Sequence, residues 1–120
     1  LLHKFLSNGD PLHERLGALL TSEFLSPSGL FDELLDRFVT PQHEVLAGVV
    51  RELMPGASER AVQLCCAGVA GYCLLFDQMR QVIRRMQPRL SLESLGVEPL
   101  AAFITEFCLA GMERMRDQEP

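Results

Sequence analysis

Apolar residues dominate two long segments in the second half of the chain. The first opens at Ser58, carries the uncharged run 64–76 and continues to about residue 87. The second covers about 98–116 and holds the apolar runs 100–104 and 107–112. Both lack strand-like alternation and predict long helices that are apolar on more than one face. A helix that is apolar on every face must be packed against other protein on every face. A chain this short has too little protein to do so for two such helices.

Shorter helices are predicted upstream, separated by turn-forming residues. Apolar residues recur at helical spacing in 11–24, in 30–38 and again from 45 to 53. Thr40 and Pro41 suit an N-cap and first helical position, and 55–57 suits a helix end. The opening apolar residues 1–6 suggest the end of a helix that starts further upstream. The sequence therefore predicts one all-α domain over residues 1–120, with about five to six helices.

Composition narrows the class of protein. The net charge is −5, the pI is about 5.1, and no block of basic residues marks a nucleic-acid-binding surface. The uncharged run 64–76 is well short of the ~20 residues that cross a bilayer, and no signal peptide is visible. Four cysteines in apolar helical segments predict buried free thiols. We therefore expect a cytoplasmic protein with no membrane contact.

Catalytic and metal-binding patterns are scarce. His3, His13 and His43 lie on three different segments, and none has a partner at the i+3 or i+4 spacing of a metal pair. The cysteines lack the C-x-x-C spacing of a reactive dithiol, and Gly68 and Gly71 lie inside a helix rather than in a phosphate-binding loop. We expect no enzyme activity, no metal and no cofactor.

Small residues on the two long helices predict a close helix contact. Glycine in a helix interior costs ~1 kcal/mol relative to alanine, so packing should compensate for it. We expect a second copy of the chain at this patch. The predicted homodimer residues are Ala67, Gly68, Gly71, Leu75, Phe103, Phe107, Ala110 and Gly111. The alternative is that the small patches of the two helices meet only each other within one subunit.

Polar and aromatic residues suggest a ligand cavity. Glu23 lies near a helix end in apolar company, either as a solvated terminal glutamate or as an anchor at the cavity rim. Tyr72 is the single tyrosine and lies in the uncharged run, where its hydroxyl requires a partner such as a ligand or Glu23. Aromatic side chains and a rim histidine would complete the lining. The predicted ligand-binding residues are Glu23, Phe24, Phe31, His43, Tyr72 and Phe76.

The order of several short motifs resembles a known family. Residues 23–28, then 38–41 opening a helix, and later 71–76 and 107–112, resemble the C-terminal regulatory domain of TetR-type transcriptional repressors, in the branch related to CecR. The resemblance covers essentially the whole chain. It rests on the order and spacing of these motifs, because each one is short and degenerate.

The resemblance implies a specific architecture and role. The last two long helices would pair with their two-fold mates in an intersubunit four-helix bundle. The middle helices would enclose a small apolar or aromatic effector, whose binding would release the operator. DNA would be bound only through an N-terminal helix-turn-helix head, which is missing from this chain. The identity of the effector does not carry over.

Two other classes of function remain as alternatives. A helical protein–protein interaction module, without a small-molecule ligand, would use the same apolar helices to bind a different partner. An enzyme would require an acid/base pair or a nucleophile, and neither is visible in the sequence.

Overall fold

The computed structural model describes residues 15, 18, 19, 22, 23 and 25–118, and this part of the chain contains helices, turns and no strand. In chain order the elements are α1 (Phe31–Leu34), a π-helical turn (Leu35–Val39), α2 (Thr40–Leu53), α3 (Glu59–Gln78), α4 (Arg80–Met86), a 3₁₀ turn (Pro88–Leu90), α5 (Leu92–Leu95) and α6 (Val97–Met115).

The all-α prediction is confirmed. The described part holds four helices longer than a single turn, slightly fewer than the five to six expected. Of the helix expected over 11–24, residues 15, 18, 19, 22 and 23 are helical, and the rest lie outside the described residues. The prediction for residues 1–6 also lies outside them.

A tight corner joins α2 to α3. The chain leaves α2 at Met54 and turns through Gly56, whose φ of +83° belongs to the region that favours glycine. Ser58 then caps α3, because its hydroxyl accepts a hydrogen bond from the Ala61 backbone N–H at 3.1 Å. An ion pair between Arg51 and Glu59, with 2.6 Å between nitrogen and oxygen, links the two helix ends. The predicted helix end and helix start are both confirmed.

The predicted start at residues 40–41 is where α2 begins, with Pro41 in its first turn, but the predicted N-cap role of Thr40 is wrong. Thr40 has helical φ and ψ values of −57° and −46°, and its N–H bonds to the Leu35 carbonyl through the preceding π-helical turn. The chain is therefore helical without interruption from Phe31 to Leu53. Pro41 has no N–H to donate, and its ring crowds the preceding turn. A π-turn placed just before the proline accommodates it without ending the helix.

The single helix expected over 58–87 is also wrong. It breaks at Met79, whose φ of −115° and ψ of 31° are not helical, and α4 starts at the next residue. The break redirects the chain so that Ile83 of α4 is buried against Phe76 and Leu100 in one cluster. The free energy gained by burying the Ile83 side chain offsets the regular helical hydrogen bonding that is lost at the break.

Two apolar clusters form the core. The first joins α2 to the front of α3 and to Met112 of α6, with Val50 and Cys66 among its most buried members. The second joins the end of α3 to α4, α5 and the start of α6, around Ile104. Because Met112 packs on the front half of α3 and Leu100 on its end, α3 and α6 run antiparallel.

Candidate functional site

The outer surfaces of α3 and α6 present apolar side chains to solvent. All eight residues predicted for a homodimer are exposed. Phe103 and Phe107 are 64% and 62% exposed, and Leu75 is 42% exposed. We call this surface, formed by those eight residues together with Leu64, the apolar face. Large apolar side chains exposed side by side on two neighbouring helices are typical of an interaction surface.

The glycines of the apolar face have open space beside them. A Cβ added at Gly68, Gly71 or Gly111 would meet no atom within 4 Å, apart from those of its own local helix. The alternative in which the small patches of α3 and α6 cover each other within one subunit is therefore wrong. Within the described residues, no packing contact compensates the helix propensity lost at these glycines.

An aromatic group connects the core to the apolar face. The ring of Tyr72 stacks on Phe76, with 5.6 Å between centroids and 21° between planes. It also meets Phe107 edge-on, with 5.6 Å between centroids and 74° between planes. Phe76 is buried in the second cluster, whereas Phe107 is exposed. A change in the position of the Tyr72 ring would therefore act directly on Phe107 at the apolar face.

Glu23 is a buried carboxylate with a local partner. The residue is 7% exposed, so the interpretation as a solvated terminal glutamate is wrong. One of its oxygens, Oε2, accepts the Ser28 N–H at 2.8 Å, and Oε1 accepts the Ser28 hydroxyl at 2.7 Å. The Ser28 hydroxyl in turn accepts the Leu30 N–H at 3.2 Å. The carboxylate thus holds the turn that leads into α1, and it is bonded to Ser28 rather than to Tyr72.

The remaining ligand candidates are distributed over the first half of the fold. His43 of α2 is half-buried, and its Nε2 lies 3.0 Å from Oε1 of Gln63 on α3. Phe31 of α1 is also half-buried. Phe24 lies outside the described residues. The described contacts therefore place these candidates in three local groups: Glu23 beside Ser28, His43 beside Gln63, and Tyr72 with Phe76.

The four cysteines are free thiols. Burial, with Cys108 and Asp77 nearby, raises the pKa of Cys73 to about 11. Burial also raises the pKa of Cys65, Cys66 and Cys108. Thiols with raised pKa values stay protonated at neutral pH and are poor nucleophiles. Within the described residues, no three His, Cys, Asp or Glu side chains are grouped so as to hold a metal ion.

A match to a family model identifies the family of this helical domain. The model of the HTH-type transcriptional dual regulator CecR, C-terminal domain, matches residues 1–112. The chain belongs to this family. It is therefore the C-terminal regulatory domain of a TetR-family regulator, as the motif order predicted. Comparisons with curated proteins and with solved structures give no match.

Among the described residues of this CecR-type domain, one helix is long and apolar enough, by length and composition alone, to cross a membrane. It is α3, of which 33% is buried within the chain in the relevant window. The core helix of a soluble protein passes the same test. Here Glu59 and Arg60 begin the helix and Asp77 and Gln78 end it, and its buried residues pack against α2 and α6. These contacts favour a core helix of a CecR-type domain.

Part of the exposed surface was missing from the predicted dimer set. Leu64 is 57% exposed and extends the apolar face by one turn toward the start of α3. Its spacing of four residues from Gly68 and seven from Gly71 places it on the same side of the helix. The helical repeat therefore held the signal. The predicted set followed the small and aromatic residues within 67–75 and 103–111, and Leu64 lies just before the first of them.

Proposed function

We propose that the chain is the effector-binding and dimerisation domain of a TetR-type repressor. In this proposal, small-molecule binding relieves DNA binding by an N-terminal helix-turn-helix head that lies outside these residues. The observation that carries the proposal is the apolar face, where two phenylalanines are more than half exposed beside open glycines. Membership of a helix-turn-helix regulator family supplies the context.

Self-association is the simplest way to cover the apolar face. Most soluble oligomers are symmetric, and a two-fold axis brings the same surface of each subunit together. Two antiparallel helices from each subunit then form a four-helix bundle, in which glycines allow close approach and aromatic side chains fill the space between helices. The proposed partner is therefore a second copy of this chain, in contact through α3 and α6.

DNA binding is assigned to the head rather than to this domain. The net charge of −5 opposes close contact with phosphates, so the domain's part is to set the spacing of two heads. The family description is that of a dual regulator, and repression is the sign that we propose here. A regulator of this type would work in the cytoplasm.

The proposed effector is a small apolar or aromatic molecule. Tyr72 would be the residue that responds to it. The proposed binding residues are the predicted set: Glu23 and Phe24 before α1, Phe31 of α1, His43 of α2, and Tyr72 and Phe76 of α3. Tyr72 contacts both buried Phe76 and exposed Phe107, so a ligand that displaces its ring would also shift the Phe107 ring. That path links an effector to the dimer without requiring a large backbone movement.

Sedimentation velocity of the chain tests the dimer. We expect a dimer at micromolar concentration, and Phe107→Glu should convert it to a folded monomer, because it places a charge in the middle of the apolar face. Val45→Glu is the matched control, since Val45 is similarly exposed, at 58%, but lies on α2. A wild-type chain that stays monomeric, or equal effects of the two variants, would contradict the proposal.

The other candidate function gives a different result. A module that binds a different protein through the apolar face predicts a monomeric chain that pairs only with that partner.

The proposed effector binding is tested by titrating the chain with 1-naphthol and measuring the fluorescence of the single tyrosine. We expect saturable quenching in the wild-type chain, together with a rise in its melting temperature as 1-naphthol is added. The Tyr72→Phe, Phe76→Ala double variant has no tyrosine to follow, so it is tested by thermal shift alone, and its melting temperature should not respond to 1-naphthol.

A further inference from the structure

A series of hydrogen bonds between α2 and α3 ends on a histidine. The Arg51 guanidinium donates to Oε1 of Glu59 at 2.6 Å and to its Oε2 at 3.2 Å. Gln63, one helical turn after Glu59, donates through Nε2 to the same Oε1 at 3.0 Å. Oε1 of Gln63 then lies 3.0 Å from Nε2 of His43. Four side chains from two helices are therefore linked in series, with His43 at the end.

The carboxylate of Glu59 fixes the direction of these hydrogen bonds. Hydrogen bonds from Arg51 and Gln63 lower the pKa of Glu59 to about 2, so its carboxylate is ionised at neutral pH and can only accept. The Gln63 amide must therefore turn its NH₂ group to Glu59 and its carbonyl oxygen to His43. A carbonyl oxygen also only accepts, so neutral His43 carries its proton on Nε2. Its other ring nitrogen, Nδ1, then has a lone pair and acts as a hydrogen-bond acceptor.

Nδ1 of His43 is open to a ligand. Within the described part of the chain, the hydrogen bond to Gln63 is the only one that His43 makes. Every buried side-chain nitrogen and oxygen among the described residues has a partner, so an unpartnered Nδ1 must be reachable from outside. His43 lies one turn before buried Ala47 and two turns before buried Val50, which places its half-buried ring on the side of α2 that packs on α3.

We propose that His43 selects effectors that donate a hydrogen bond, such as phenols, over ethers of the same ring system. This selection rests on the proposed effector-binding function, because His43 belongs to the set proposed for that site, and it names the chemical group that the site requires. An effector hydroxyl donates to Nδ1, whereas an ether oxygen faces the Nδ1 lone pair with no proton to share. A ring with its proton on Nδ1 would have the opposite preference. Gln63 is a positioning residue, because it fixes the tautomer of His43 through Nε2.

Two probes with the same ring system test the selection. 1-Naphthol can donate a hydrogen bond, whereas 1-methoxynaphthalene can only accept one. Each is titrated calorimetrically into the whole chain at pH 8, where imidazole is ordinarily neutral. We expect 1-naphthol to bind about threefold to tenfold more tightly, which corresponds to one hydrogen bond. His43→Leu should abolish this difference, while Gln42→Leu, at the exposed position beside it on α2, should leave it unchanged.

Nitrogen-15 NMR of the imidazole rings tests the tautomer without a ligand. We expect neutral His43 to carry its proton on Nε2, with its signals identified by their loss in His43→Leu. Gln63→Leu removes the acceptor, so it should raise the population of the other tautomer and narrow the difference between the two probes. A purely structural role of Gln63 would not change the tautomer.

The possible results separate this selection from the effector site itself. Equal affinities for the two probes, a difference that persists in His43→Leu, or a proton on Nδ1 overturns the selection and leaves the effector site standing. The selection is also overturned if Gln63→Leu changes neither the tautomer nor the difference between the probes, which decides the matter even where His43→Leu fails to fold. Binding of neither probe contradicts the proposed effector site, and the selection is then overturned with it.

Discussion

Individual side chains fix the places where this chain turns. Ser58 is an example, because its hydroxyl replaces a hydrogen-bond partner that the first turn of α3 lacks. Glu23 stabilises the turn before α1 in a similar way, because its carboxylate accepts two hydrogen bonds from Ser28. These short-range contacts differ in how visible they are in the sequence. A serine before a helix is a strong local signal, whereas a carboxylate that reaches five residues forward depends on a turn whose shape the sequence does not reveal.

Loss of the cap on α3 should be measurable. Ser58→Ala removes the acceptor for the Ala61 N–H, and we expect the free energy of unfolding to fall by about 1 kcal/mol. Ser58→Asp keeps an acceptor at the same place and should restore most of that loss. Urea denaturation followed by circular dichroism measures both variants. A Ser58→Ala protein as stable as the wild type would show that the cap contributes nothing.

The Arg51–Glu59 pair predicts an acid-dependent loss of stability. Hydrogen bonds from Arg51 and Gln63 lower the pKa of Glu59 from 4.5 to about 2. Since the folded pKa lies below the unfolded one, the contribution is fully present above pH 4.5 and is lost as the pH falls through about 2. The pair is exposed, so solvent screening keeps the effect small.

Glu59→Gln removes this titration. We expect the variant to show a shallower decline in the free energy of unfolding than the wild type between pH 4.5 and pH 2, with no difference in slope above pH 5. Urea titrations at several pH values, with salt held constant, give the two curves. Glu44→Gln is a control on the neighbouring helix and should leave the slope in this window closer to that of the wild type. Parallel curves for wild type and Glu59→Gln would contradict the prediction.

Helix boundaries in this protein are set by two kinds of cause. Residues 55–58 end α2 and start α3 through local chemistry, and the sequence predicted both events. The break at Met79 has a tertiary cause, because the helical repeat of apolar residues continues through it and only the burial of Ile83 requires the change of direction. The π-turn before α2 was not predicted. Thr40 and Pro41 are typical of a helix start, and the sequence does not show that the Thr40 N–H bonds back to the Leu35 carbonyl and keeps the chain helical there.

The boundary between α5 and α6 predicts a contrast between two glycines. Gly96 has a φ of 84° and a ψ of 163°, a conformation almost restricted to glycine, so Gly96→Ala should cost about 1–3 kcal/mol. Gly48 lies within α2 with no atom within 4 Å of an added Cβ, so Gly48→Ala should stabilise the protein by about 1 kcal/mol. Thermal and urea denaturation of the two variants measure the difference. Changes of the same sign would contradict it.

At the scale of the whole molecule, the apolar face explains why the two long helices are apolar on more than one side. One side of each helix forms the intrachain core, where Cys66, Cys73 and Ile104 are buried. A second, exposed side of each helix contributes to the apolar face. Amphipathic patterning could not separate these two sides, because both are apolar, and only the packing against α2 and α4 does so. Tyr72 lies at the border between them, and no sequence pattern places it there.

Gly71→Leu separates subunit stability from association. A Cβ added at this position meets no atom within 4 Å beyond the local helix, and leucine has a better helix propensity than glycine by roughly 0.8 kcal/mol, so the isolated subunit should become slightly more stable. In the proposed bundle, the added side chain prevents close helix approach, and overpacking of this kind costs about 1–3 kcal/mol. We therefore expect the dimer dissociation constant to rise by about tenfold or more, measured by sedimentation equilibrium.

Gly48→Leu is the control, since Gly48 is also open but lies on α2, and it should leave association unchanged. Unchanged association in Gly71→Leu would place Gly71 outside the contact, and the small residues of α3 would then have to meet something other than a second copy of the chain.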